Sequence, residues 1–221
     1  MEQLINEANW RNLIQETAAH QAQLIAVSKT KSNAAIQALY DLGQRDFGEN
    51  YVQELVEKQP QLPADIRWHF IGHLQRNKVK YIAPICSLIQ GVDSLALLDE
   101  INKQAIRSNK VIDCLLQVHI AREETKFGFD QAELAAILPL LTDKKNVRVL
   151  GLMGMASFTE NESVVRSEFQ QLKSLALQYA TYFTPSEGPV LSMGMSGDYQ
   201  IALEEGSTLV RIGSLLFGAR Q

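Results

Sequence analysis

Cysteine is scarce: Cys86 and Cys114 are the only two in 221 residues. Each sits inside an apolar run, Ile85-Cys86-Ser87-Leu88-Ile89 and Asp113-Cys114-Leu115-Leu116, which reads as a buried thiol rather than half of a disulfide. The histidines, His20, His69, His73 and His119, lack metal-ligand spacing. Basic charge is also short: 21 Lys and Arg against 25 Asp and Glu give a formal charge of −4. Their scatter lacks the footprint of a nucleic-acid binder. No apolar run approaches bilayer-spanning length, and the acidic start, Met1 to Glu7, has no signal-peptide core. These absences predict a cytoplasmic protein with no nucleic-acid or membrane partner. The chain further lacks a long linker, a low-complexity segment and a glycine-rich dinucleotide fingerprint after its first strand.

What is present is a 46% hydrophobic fraction, enough for a full core and cut into short β-prone runs. The runs lie at 23–29, 44–50, 66–72, 87–92, 111–120, 147–153, 190–196 and 208–214. Helical stretches separate them. A first helix over 3–19 places Leu4, Ile5, Ala8, Leu13 and Ile14 near one stripe. Others follow Ser32 or Asn33 up to Leu42, then cover 52–58, 77–82, a stretch capped by Ser94, 130–141, a long helix marked by Val165, Phe169, Leu172, Ala176 and Tyr179, and 198–205. Almost wholly apolar strands such as 111–120 suit a parallel sheet covered on both faces. Eight alternating units predict an α/β fold, a single (β/α)8 TIM barrel spanning 1–221 with an additional N-terminal helix. A doubly wound open sheet is the structural alternative.

The first strand, Gln23-Leu24-Ile25-Ala26-Val27-Ser28-Lys29, ends in a lysine on the face of Ile25 and Val27. An amine at the rim of an apolar interior is partly desolvated, which favours its neutral, nucleophilic form. That is the chemistry of a Schiff-base lysine. The plainer alternative is a strand-end lysine reaching into water.

Barrel sites lie at the C-terminal ends of the strands, with phosphate frequently held between the loops after strands seven and eight. There Ser196-Gly197-Asp198 opens a short helix and Gly213-Ser214 follows the eighth strand, offering hydroxyl and backbone N–H groups to an anion. Arg211 shares a face with Gly213. It is either a permanent donor facing a neutral ring nitrogen or a partner for Glu204 or Glu205. Asn50, leaving strand two beside Lys29, is placed to bond a phenolic oxygen.

Several segments in order resemble one family. They are Leu24-Ile25-Ala26-Val27-Ser28-Lys29-Thr30-Lys31, Phe47-Gly48-Glu49-Asn50-Tyr51-Val52-Gln53-Glu54, Trp68-His69-Phe70-Ile71-Gly72-His73-Leu74-Gln75-Arg76-Asn77-Lys78, Gly151-Leu152-Met153, Leu191-Ser192-Met193-Gly194-Met195-Ser196 and Val210-Arg211-Ile212-Gly213. The chain is similar over nearly its whole length to the pyridoxal phosphate homeostasis proteins. The resemblance implies a monomeric barrel related to the N-terminal domain of alanine racemase. It also implies pyridoxal 5′-phosphate held as an imine on Lys29, with Lys31 the neighbouring candidate, phosphate at Ser196-Gly197 and Gly213-Ser214, and the pyridine nitrogen at Arg211. The loop Gly154-Met155-Ala156-Ser157-Phe158 departs from the family pattern, and Trp68 and Phe70 read most simply as core packing.

An unprotonated ring nitrogen makes a poor electron sink, so transaminase and decarboxylase chemistry is disfavoured. With only Leu215 to Gln221 after strand eight, a second domain carrying a racemase base is not expected. The sequence thus predicts a carrier and regulator of vitamin B6 and amino-acid balance that delivers the cofactor to apo-enzymes, without established turnover. A racemase-like enzyme acting on amino acids is the alternative, and a cofactor-free Schiff-base aldolase a third reading.

Overall fold

The computed structural model describes residues 4–123, 127–184 and 188–218. Helix α1 (Glu7–Ala19) is capped by the Asn6 side chain, which accepts from the Asn9 N–H. Its expected start at residue 3 lies outside the described residues. The buried stripe is Trp10, Leu13 and Thr17, and Ala8 and Ile14 are exposed. Trp10 sets this rotation, because its indole N–H donates to Gln44 Oε1 at 3.0 Å and turns the largest side chain inward.

Eight parallel strands follow: β1 (Gln23–Val27), β2 (Asp46–Glu49), β3 (Arg67–Phe70), β4 (Cys86–Val92), β5 (Ile112–Gln117), β6 (Val147–Met153), β7 (Val190–Met195) and β8 (Leu209–Ile212). Each pairs with the next and β8 pairs with β1, closing the barrel that the sequence predicts. The outer helices are α2 (Asn33–Asp41), α3 (Val52–Lys58), α4 (Val79–Ile82), α5 (Leu95–Arg107), α6 (Gln131–Ile137), α7 (Glu162–Gln178), α8 (Tyr199–Glu204) and α9 (Ser214–Phe217).

The pleat sorts the core in two. Leu24, Ala26, Phe47, Trp68, Phe70 and Ile89 face the helices, while Ile25, Leu88, Leu115, Met153 and Leu209 fill the barrel. Burying each Leu, Ile, Phe or Met among them contributes about 1.5–3 kcal/mol. Trp68 is therefore core, its ring 6.0 Å from that of Phe47. Cys114 is buried and Cys86 half-buried; both are free, and burial pushes both thiols up.

Most elements are trimmed at their ends relative to the sequence expectation, β5 to Ile112–Gln117 and β8 to Leu209–Ile212 among them, and three differences bear on packing or the site. Pro139 stops α6 at Ile137, since it cannot donate within a helix, and a 3₁₀ stretch, Leu138–Asp143, follows. A 3₁₀ turn over Arg76–Lys78 replaces the first part of the helix expected at 77–82. Strand β1 ends at Val27, two residues before Lys29.

Candidate functional site

Lys29 leaves β1 in a turn rather than on the strand itself, and it is half-buried. The turn needs Thr30 at φ +62°, a left-handed conformation unusual for a branched residue. A buried ion cluster holds the turn from behind. Lys58, at the end of α3, donates to the Ser28 carbonyl at 2.9 Å, Glu49 Oε1 at 2.8 Å and Glu54 Oε2 at 2.7 Å. Ser28 Oγ donates to the same Glu49 oxygen at 2.6 Å, and the Thr30 N–H donates to Glu54 Oε2 at 2.8 Å. Burial pushes the Glu49 carboxyl up, against the pull of Lys58 and Ser28. Burial would also raise Glu54, but the bonds from Lys58 and Thr30 outweigh it and hold that carboxyl below its ordinary value.

Lys29 lines a cavity of about 480 Å³ at the C-terminal ends of the strands. Asn50, Ser196, Gly197, Arg211, Gly213 and Ser214 line the same cavity. Lys31 also reaches it, but its Nζ donates to the Phe217 carbonyl at 3.1 Å, at the end of α9. A cation at the negative pole of a helix is favourably committed there. Asn50 follows β2, and its Oδ1 is buried with no hydrogen-bond partner. Gly72 packs so closely on Asn50 that a Cβ would meet the Asn50 carbonyl oxygen at 2.3 Å.

The loops after β7 and β8 touch, with the Gly213 N–H donating to Ser196 Oγ at 3.4 Å. Asp198 caps the backbone of Met195 at 2.6 Å instead of its own helix. Neither α8 nor α9 has a side-chain cap, so the first N–H groups of both helices keep capacity for an anion.

Arg211 is 3% exposed on β8. It donates to Ser192 Oγ at 2.5 Å and to the Gly154 carbonyl at 3.0 Å. Glu204 and Glu205, considered from sequence as its partners, bind Arg166 at 2.6 Å each. Arg166 wins because it projects from α7 onto α8 outside the barrel, whereas Arg211 points inside. Burial lowers the Arg211 guanidinium to about 10, partly offset by the charge of Asp198, which leaves it cationic at neutral pH.

Sequence reasoning did not find Ile71, Met155, Phe158 and Met195, which add apolar wall to the cavity. Phe158 is fully exposed at the rim. Its loop is anchored by buried Glu168 of α7, which accepts from the Ser157 N–H and hydroxyl at 2.7 Å each. That anchor pairs residues 11 apart across a turn, with no local motif to announce it.

Residues 6–221 match the family described as alanine racemase, N-terminal domain. The chain is 42% identical over 201 residues to the pyridoxal phosphate homeostasis protein of Aquifex aeolicus, covering 90% of this chain and 88% of that one. It is 41% identical over 214 residues to the protein of the same name from Homo sapiens, covering 91% of this chain and 78% of the human one. Among solved structures, PipY of Synechococcus elongatus with PLP bound superposes with a TM-score of 0.87 at 35% identity, covering 96% of this chain and 99% of PipY. The fold, the strand-end cavity and these relatives agree: the chain belongs to the pyridoxal phosphate homeostasis proteins, a family built on the alanine racemase N-terminal domain.

Proposed function

We propose that the protein is a carrier of pyridoxal 5′-phosphate. It holds the cofactor as a Schiff base on Lys29 Nζ and delivers it to apo-enzymes, acting as a monomer in vitamin B6 and amino-acid balance. The observation that carries this reading is the meeting of a half-buried lysine, a donor-only arginine and two uncapped helix starts on one cavity of about 480 Å³. That volume is within the range of small-molecule sites.

The donor set fits the group. The Lys29 amine condenses with an aldehyde with loss of one water, and attack by water or by another amine reverses the bond. Asn50 lines the same cavity with an unpartnered buried Oδ1, an acceptor for a phenolic O–H, and its amide N–H is the donor for the phenolic oxygen once that is ionised. Ser196, Gly197, Gly213 and Ser214 supply hydroxyl and backbone N–H groups to the phosphate. Arg211 donates to the pyridine nitrogen and keeps its own proton while doing so, which leaves the ring nitrogen unprotonated.

When bound, the cofactor supplies an electrophilic aldehyde whose ring is a weak electron sink opposite Arg211. The residues therefore favour storage of a reactive aldehyde over carbanion chemistry. The test is delivery: holo-protein is mixed with an apo-enzyme in the presence of a phosphatase that destroys free cofactor. Reactivation under that condition supports the carrier. Reactivation abolished by the phosphatase, or turnover of an amino acid by the purified protein, would contradict it.

A further inference from the structure

Behind Arg211 the barrel interior contains a file of polar side chains, none of them among the cofactor contacts proposed above. Arg211 Nη1 donates to Ser192 Oγ at 2.5 Å, and the Ser192 hydroxyl donates to Gln90 Oε1 at 2.6 Å. Gln90 Nε2 donates to His69 Nδ1 at 3.0 Å, and His69 Nε2 reaches Asp46 Oδ1 at 3.1 Å. Arg67 closes the far end on Asp46, with Nε at 2.7 Å from Oδ1 and Nη2 on Oδ2. All five members from Arg211 to Asp46 are buried, with Ser192 and Gln90 at 0% exposure.

The two ends fix the sense of the terminal links. A guanidinium only donates and an ionised carboxylate only accepts. Asp46 is held ionised, because the bonds from His69 and Arg67 outweigh the rise that burial causes. The Gln90 amide has its oxygen toward Ser192 and its nitrogen toward His69, and this orientation makes His69 Nδ1 the acceptor and places the ring proton on Nε2, toward Asp46. Turning the Gln90 amide would set an N–H against Ser192 Oγ and leave the serine proton without its acceptor. Side chains from five strands, β2, β3, β4, β7 and β8, thus set one orientation of the Ser192 hydroxyl, whose oxygen holds Arg211.

We propose that Gln90, acting through Ser192 and oriented by His69 and Asp46, is a positioning residue that fixes the Arg211 guanidinium against the pyridine ring of the bound cofactor. This rests on the reading of Arg211 given above. The interior file holds one guanidinium nitrogen and the Gly154 carbonyl the other. Loss of a link frees Nη1 from Ser192 or leaves Ser192 free to rotate, and either leaves the guanidinium held by the Gly154 carbonyl alone of its two anchors, while Lys29, in the turn beyond β1, keeps its own clamp.

The experiment compares Gln90→Leu, Ser192→Ala and Gln90→Glu with the unaltered protein, reading the cofactor's absorption maximum, its dissociation constant and the side-chain nitrogen signals of His69. In the unaltered apo-protein the nitrogen spectrum should show Nδ1 unprotonated and Nε2 protonated. Gln90→Leu should shift the absorption maximum and weaken binding about tenfold, the scale of one buried hydrogen bond, with borohydride still trapping the cofactor on Lys29. Ser192→Ala removes few atoms and should do the same, which serves if the leucine variant does not fold. Gln90→Glu keeps an acceptor for Ser192, so it should restore the absorption maximum while forcing a proton onto His69 Nδ1. An unchanged maximum and affinity in Gln90→Leu and Ser192→Ala, or a protonated Nδ1 in the unaltered protein, would overturn the proposal. Arg211→Gln separates the two readings: if it too leaves the spectrum and affinity unchanged, the assignment of Arg211 to the ring nitrogen has failed, rather than the file behind it.

Discussion

Lys58 Nζ lies 2.8 Å from Glu49 Oε1, and this interior pair stands directly behind Ser28, the residue before Lys29. The lysine also bonds the Ser28 carbonyl, and Glu54 bonds the backbone of Thr30 on the other side. A left-handed Thr30 costs on the order of 1–3 kcal/mol unless its surroundings enforce it. The ion cluster supplies that enforcement, so the strand-end lysine is presented to the cavity by α3 as much as by β1.

Lys58→Met should destabilise the protein by about 3–5 kcal/mol, because Glu49 and Glu54 lose the cation that compensates them. Lys58 is 8% exposed, so water cannot replace it cheaply. Urea unfolding measures the loss. A change below about 1 kcal/mol, the worth of a surface pair, would show that the cluster does not hold the turn.

Gly72→Ala should displace Asn50. The added Cβ would stand 2.3 Å from the Asn50 carbonyl oxygen, and backbone must move to admit it. Overpacking of this kind costs about 1–3 kcal/mol, and cofactor retention should weaken with it. Equal stability and equal cofactor affinity would show that Asn50 is not set by this contact.

Asp46 gives a pH signature. Its carboxyl is held below 3.8 in the folded protein, so the stability it contributes is present above 3.8 and is lost as pH falls through the folded value. Asp46→Asn should therefore be less stable than the unaltered protein at neutral pH, with the gap narrowing in acid. Urea midpoints taken from neutral pH to about pH 3 follow that gap. A gap independent of pH would contradict the assignment of Asp46 as the ionised end of the interior file.

The barrel was legible because most of the parallel strands are apolar runs and several of the crossover helices carry a side-chain cap, as those begun by Ser32, Ser94 and Asp130 do. Lys29 stood out because a lysine closing such a run is chemically anomalous, and Arg211 because it lies two residues from Gly213 on one strand face. What was not legible depends on contacts between distant elements. Lys58 reads as a surface lysine at a helix end until Glu49, nine residues earlier, is seen under it. Gln90 and Ser192 are 102 residues apart and join only when the barrel closes. Lys29 itself lies beyond the strand because Thr30 turns the chain, a backbone choice that no side-chain pattern encodes.

Reduction of the cofactor-loaded protein with borohydride, followed by proteolysis and peptide mass measurement, tests the central claim most directly. The account predicts one reduced pyridoxyl phosphate adduct, on the peptide containing Lys29, and its loss together with the yellow absorbance in Lys29→Ala. An adduct found on Lys31 or elsewhere, or one that persists in Lys29→Ala, would contradict it.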